Sequence, residues 1–384
     1  MPHPTDRFDY TFGLEEEFFL VHADSHRLVP RMPAGLVARA RKELGEAIGP
    51  EMLQSQLEIS SPVFQSAAEA RHRMAELRQG LASVVQDFGL RLLCAGTHPL
   101  AAWRLQHGTS RRHYRRLVDD FQIVARRNLV CGLHVHVAVP PGIDRVRLMN
   151  RIMPWLPLFL ALSTSSPFWG RQRTGLLSYR QALYDEWPRT GIPDFFEDQA
   201  QYDAFAALLH RHNAIRDAGS LWWGLRPALD YPTLELRIAD ACTRLRDSLA
   251  IAALFRCLVR SLIRHPSRGA ERSAITRRVI DENRWRAKRF GLAARFIDER
   301  SGDAEPAPEA LARLREDCAE DAAALECETE LAALDALLAE GTSADVQLAI
   351  HDRQRELGDH HVQALGPVLD WLLATTTETP AGPR

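Results

Sequence analysis

Residues 129–139 read LVCGLHVHVAV, and their alternation decides how the chain is built. Leu129, Cys131, Leu133, Val135, Val137 and Val139 fall at every second position, so in an extended strand they form one unbroken apolar side. His134 and His136 are left together on the reverse.

Three other stretches repeat this layout. In FGLEEEFFLV (12–21), Glu15 and Glu17 share a face while Phe12, Leu14, Phe18 and Leu20 lie on the other; Glu16 interrupts the apolar side and is expected near its edge. In QSQLEIS (54–60), Gln54, Gln56 and Glu58 share a face opposite Leu57 and Ile59. In TLELRIA (233–239), Leu234, Leu236 and Ile238 point inward, and Glu235 and Arg237 the other way. One such strand is ordinary for an antiparallel sheet with a solvated side. Together, however, the four gather four glutamates, two histidines and one arginine, where a wet strand face favours threonine, lysine and mixed charge. Carboxylates are disfavoured in strands, and like charges on neighbouring strands repel. A cation is therefore expected among them.

Glutamate oxygens with one imidazole are hard ligands, which suit Mg²⁺ or Mn²⁺ better than zinc. Mg²⁺ held by few carboxylates completes its shell with water and substrate phosphates, which points to nucleotide chemistry. Neither GxxxxGK[ST] nor a GxGxxG after a strand is present, so metals and scattered arginines must hold the phosphates.

Around these strands, 10–22, 54–60, 89–95, 129–139 and 233–239 read as extended, and 33–48, 66–88, 111–127, 145–162, 199–216 and 243–264 carry helical spacing. Their irregular order predicts an α+β fold with an antiparallel sheet rather than a repeating βαβ array. At 384 residues the chain exceeds the roughly 250–300 that one core usually serves. The expectation is a catalytic domain over 1–298, a C-terminal helical extension over 299–375 with leucines at helical spacing in 309–340, and a disordered tail over 376–384. Dense glycine and proline between 164 and 198 marks long ordered loops.

A formal charge of -2 gives no global pull toward nucleic acid or a membrane surface. The arginine-rich stretch RRHYRRLVDDFQIVARR (111–127) includes Asp119 and Asp120 and reads as a solvated helix face. Six cysteines without a C-x-x-C pair fit a reducing compartment. The start, MPHPTDRFDYTF, has no apolar leader, and the most apolar run, Met153 to Leu162, is interrupted by Pro154 and Pro157. The chain is expected in the cytoplasm.

GLEEEFFLV (13–21), QLEISSPV (56–63), GTHP (96–99), CGLHVHV (131–137), SSPFWGRQRTG (165–175) and RPALDYPTLELRIAD (226–240) resemble, in order and spacing, the bacterial carboxylate–amine ligases called glutamate–cysteine ligase type 2. The resemblance is close over 8–265 and looser beyond. It implies a glutamine synthetase-like fold: a curved antiparallel sheet with helices on its outer face and Mg-ATP in its concavity. It also implies Glu15, Glu17, Glu58, His134 and Glu235 as metal ligands, Arg237 as the contact to the transferring phosphate, and Glu58 and Arg237 as catalytic. Arg171, Arg180, Arg226 and His136 are candidates for holding ATP, Glu51 for a further acid, and His98 for an active-site loop. Trp222 and Trp223 are candidates for lining the pocket. The implied reaction forms an acyl phosphate from ATP and a substrate carboxylate, then an amide by attack of an amine, nominally from glutamate and cysteine. Family members suggest a homodimer. Where relatives carry an acidic residue, this chain has Gly224. Two other readings remain open: a guanidino-type phosphotransferase, and a metal-dependent hydrolase using His134 and His136 or a binding protein without turnover.

Overall fold

The computed structural model describes residues 8–378. Strands β1 (Phe12–His22), β2 (Ile48–Pro50), β3 (Gln56–Ser60), β4 (Leu90–Leu93), β5 (Gly132–Ala138), β8 (Leu225–Pro227) and β9 (Thr233–Asp240) form one sheet. Two small hairpins stand apart, β6 (Phe168–Trp169) with β7 (Gln172–Arg173) and β10 (Arg295–Ile297) with β11 (Ala304–Pro306). The main sheet runs β2-β3-β1-β5-β9-β8, with β4 also on β1, and every pairing within it is antiparallel.

β1 is long enough to serve three neighbours. Phe19 pairs with Gln56 on one side and Leu93 on the other, while Glu15 pairs with Ser60 and His134, so β4 and β5 follow one another along the same edge. The apolar sides of these strands bury Leu14, Leu57, Val135 and Leu236 against the helices Ala67–Gln86, Arg145–Ile152, Leu156–Ser163 and Leu245–Arg264. The register puts Glu17 opposite Glu58, Glu15 opposite His134 and His136 opposite Glu235 on the other side. The fold is thus α+β and antiparallel, with helices behind the sheet.

Several elements depart from their periodicity. Gly45, at φ 80°, ends the helix Leu36–Leu44, and Ile48–Pro50 leaves the expected helix 33–48 to become an edge strand. Gln122, at φ 48°, breaks 111–127 into Arg112–Phe121 and Ile123–Arg126. The helix Ala274–Phe290 escaped notice because its arginines hide a thin apolar stripe that includes Ile280 and Ala287.

Glu16 is not near the edge of the apolar side. It is 1% exposed, and the Arg78 guanidinium donates to both of its oxygens at 2.8 and 2.6 Å. Five helices follow β11, ending with Leu365–Thr376, and Leu311, Leu334 and Leu372 belong to the same apolar cluster as the sheet. Thr376, expected in the tail, is helical and 1% exposed, and its hydroxyl accepts a hydrogen bond from the Cys94 amide. Residues 379–384 lie outside the described residues. Among the described residues no helix is long and apolar enough to cross a membrane.

Candidate active site

The polar face carries a cavity of about 310 Å³ whose lining includes Glu15, Glu17, Glu51, Glu58, His134, Arg180 and Arg237. The floor is positioned by pleat and register alone. Its one irregularity is a bulge in β9: Val135 pairs with Leu236 and Leu133 with Ala239, so Arg237 and Ile238 together face the single residue His134. The amides of both donate to the Gly224 carbonyl, at 2.8 and 3.1 Å. Such a bulge re-aims a side chain beside a site. Here that side chain is Arg237, which bonds Glu235 and donates to the Tyr184 hydroxyl at 3.4 Å. A Cβ on Gly224 would lie 3.2 Å from the Cβ of buried Ile238. The position points into the packing, away from the cleft, and bears on the bulge.

Arg180 reaches the cavity because residue 132 is glycine: a Cβ there would collide with the guanidinium. The Gly132 amide in turn donates to Glu17 at 2.7 Å. Arg180 is 2% exposed and stacks over the Tyr184 ring at 5.4 Å. Its Nε, like that of Arg237, is buried without a hydrogen-bond partner.

Charge divides the cleft in two. At one end Glu235 is held by Arg226 (2.6 Å) and Arg237, while Glu15 meets His134 Nδ1 at 3.0 Å and His136 Nε2 at 3.4 Å. Burial alone would raise both carboxylates, but these partners outweigh it and hold them below the usual range. Burial, with Arg237 nearby, pushes His134 down to about 4. At the other end burial and the Glu51 charge push Glu17 up to about 8. Burial raises Glu51, and Glu58 is driven well above the usual range by burial and then by Glu51, Glu15 and Glu17. Among the described residues, no lysine or arginine forms an ion pair with Glu17, Glu51 or Glu58.

This donor set fits a divalent cation: crowded carboxylate oxygens with imidazole nitrogens, and at Glu17, Glu51 and Glu58 a negative charge that the nearby Arg180, Arg237 and Arg111 offset only in part. His136 adds to the fit. Its Nε2 is buried without a hydrogen-bond partner while its Nδ1 is 3.1 Å from the Thr233 hydroxyl, and ligand atoms of Glu15, His136 and Glu235 come within 4.8 Å of one another. From the sequence His136 could bind nucleotide or metal, and its position here suits either.

Not every candidate converges. Arg171 is exposed, with its amide on the Pro99 carbonyl and its own carbonyl 2.6 Å from His361 Nε2, and it does not line the cavity. Arg226 reaches the site only through Glu235, since its Nη1 donates to the Gly219 and Leu221 carbonyls at 2.6 and 3.1 Å. His98 is fully buried against the His26 carbonyl, and burial pushes it down to about 3. Trp222 lines the cavity, whereas Trp223 stacks on Phe205 in the core. The wall opposite the floor went unread: Tyr114, Tyr184 and Trp187 arrive from segments whose spacing signals only packing.

A family model described as glutamate–cysteine ligase family 2 matches residues 11–364. The chain belongs to this family of carboxylate–amine ligases. A relative from Ectopseudomonas mendocina, provisionally named glutamate–cysteine ligase 2, is 44% identical over 97% of this chain and 98% of its own length. One from a Bradyrhizobium species (strain BTAi1), with the same provisional name, is 39% identical over 99% of this chain and 91% of its own. Among solved structures, a glutamate–cysteine ligase from Francisella tularensis in complex with AMP has a TM-score of 0.68 at 12% identity, covering 97% of this chain and 90% of that one. A bifunctional glutathione synthetase from Pasteurella multocida has a TM-score of 0.69 at 12% identity, covering 96% of this chain and 53% of that one. At that identity the likeness is one of fold, and it is the glutamine synthetase-like fold that the family resemblance implied.

Proposed function

We propose that the concave face holds Mg²⁺ or Mn²⁺ through Glu15, Glu17, Glu58, His134 and Glu235, with Glu51 and His136 as further ligands, and binds the triphosphate of ATP for amide synthesis. The observation that carries this reading is the end of the cleft where Glu17, Glu51 and Glu58 crowd together, half-buried, with no basic side chain in an ion pair with them. Such a cluster is relieved either by taking up protons, as the raised carboxylates show, or by a cation that displaces them. When bound, the cations would neutralise phosphate charge and polarise the γ-phosphoryl group.

The chain's own residues supply the rest. Arg237, from β9, and Arg180, from the helix Tyr179–Tyr184, present unused guanidinium Nε donors, suited to charge that develops as the phosphoryl group moves to a substrate carboxylate. The same donors suit the acyl phosphate and the phosphate released when an amine attacks. The rings of Trp187, Trp222 and Phe121 meet edge-on or tilted at 5.0–5.7 Å, making a wall that limits water, against which an acyl phosphate must be protected. All six cysteines are buried and none lines the cavity, so no cysteine nucleophile is used.

The substrates are an amino-acid carboxylate and an amine, nominally glutamate and cysteine as in the relatives' names. The same reading makes the enzyme a cytoplasmic homodimer without nucleic-acid or membrane partners. The test is a matrix of amino acids and amines with Mg-ATP, reading phosphate and ADP. A ligase releases phosphate only when a carboxylate and an amine are both present. ADP formation with one substrate, a phosphorylated product and no free phosphate would make it a phosphotransferase, and hydrolysis without ATP would make it a hydrolase.

A further inference from the structure

We propose that Arg78, through Glu16, is a positioning residue that sets the metal-binding strand β1. The proposal rests on Glu15 and Glu17 being metal ligands.

Glu16 lies between those two residues and, by the pleat, points to the opposite face. Whatever fixes Glu16 therefore fixes where Glu15 and Glu17 project. Arg78, 2% exposed in the helix Ala67–Gln86, grips Glu16 with a two-pronged pair, and the Ser248 hydroxyl donates to Glu16 Oε1 at 2.6 Å. The remaining guanidinium protons go to main-chain carbonyls: Cys242 at 3.0 Å, Thr243 at 3.0 Å and Thr376 at 3.4 Å. Cys242 and Thr243 lie two and three residues past the end of β9, which carries Glu235 and Arg237. Thr376 ends the last helix and also caps the strand end at Cys94. One planar group thus sets the offset between the two strands that bear both halves of the cleft, and ties it to the C-terminal helix.

Stability alone is a poor reason for such a pair, because replacing a buried ion pair by apolar side chains of similar volume is often neutral or stabilising. There is a force for it to resist. Glu17 lies directly opposite Glu58, and like charges in that register push strands apart. A fixed second face keeps the floor from relaxing until cations neutralise it.

The test compares the wild type with the double variant Glu16→Leu/Arg78→Met, and with Arg78→Lys, which keeps the charge and loses the fork. Three quantities are read: thermal unfolding, hydrogen exchange of residues 12–22, and Mn²⁺ affinity by electron paramagnetic resonance. The expected result is a double variant that unfolds near the wild-type temperature yet exchanges faster in 12–22 and binds Mn²⁺ about tenfold or more weakly, as supporting-residue changes do at metal sites. Arg78→Lys is expected to stay folded with a smaller loss, and it carries the comparison if the double variant does not fold. Wild-type exchange together with wild-type Mn²⁺ affinity in the folded variants would overturn the proposal, as would faster exchange with unchanged affinity. A wild type that binds no Mn²⁺ would instead remove the ligand reading of Glu15 and Glu17.

Discussion

Glu16 and Glu17 are consecutive and chemically the same, one buried and the other half-buried, yet the chain treats them in opposite ways. On the outer face Glu16 receives two bonds from Arg78 and one from Ser248, so its charge is fully answered from within the protein. On the inner face Glu17 has the Gly132 amide at 2.7 Å and His134 at 3.9 Å, lies opposite Glu58 and near Glu51, and has Arg180 and Arg237 in its field without an ion pair to either. The difference teaches how a structural carboxylate is told from a functional one: both are largely shielded from water, and a close ion pair within the protein is confined to the first. A buried charge left unanswered is maintained for something that arrives from outside.

The comparison can be broken most sharply at the cation that serves the inner face. Arg237→Gln should lower ADP formation by about 10³-fold or more, in the range set by other phosphoryl-transfer arginines, while circular dichroism shows the native fold. Near-wild-type turnover in that variant would take Arg237 out of the chemistry.

The next contrast swaps one oxygen for nitrogen on each face. Glu16→Gln leaves Arg78 buried and half-answered, and should cost about 3 kcal/mol in denaturant unfolding with the metal-free protein. Glu58→Gln removes a charge from the repelling cluster, so the same measurement should show no loss or a gain, even as ATP turnover is abolished. Equal destabilisation by the two would erase the distinction between the faces.

Gly132→Ala sharpens the account at the junction of Arg180 and Glu17. Its Cβ meets the Arg180 guanidinium, and an overpacking cost of about 1–3 kcal/mol is expected, with weaker ATP binding by calorimetry.

The smallest effect concerns pH. The folded-state pKa of Glu17, about 8, lies above its ordinary 4.5, so its contribution to stability is full below about 4.5 and is lost as pH rises through about 8. Glu15 and Glu235 are shifted the other way, and their contribution is lost only on acidification below their ordinary range. Melting of the metal-free protein should therefore weaken from pH 6 to 8.5. The stabilisation conferred by Mg²⁺ should grow over the same interval, because bound cations displace protons.

Much of this was legible because period two is local. The alternations at 12–21, 54–60, 129–139 and 233–239 each declare a face without reference to the rest of the chain, and the register then brings those faces together. β2 and β8, at three residues each, are too short to show a period. Glu16 was misread for a related reason: its partner Arg78 is 62 residues away in a helix, and nothing near Glu16 announces it. The bulge at Arg237 depends on a pairing count that only the assembled sheet reveals. Arg171 looked like a clamp by residue type and loop position, but its backbone, at φ 66°, belongs to a turn tied to Pro99.

The central claim is that the unanswered carboxylates of the inner face are answered by divalent cations. Crystals grown with Mn²⁺ and a non-hydrolysable ATP analogue, measured at the manganese absorption edge, test it directly. Anomalous peaks bounded by Glu15, Glu17, Glu58 and Glu235 are predicted. A concave face without peaks, in protein that turns over ATP in the same manganese buffer, would contradict it.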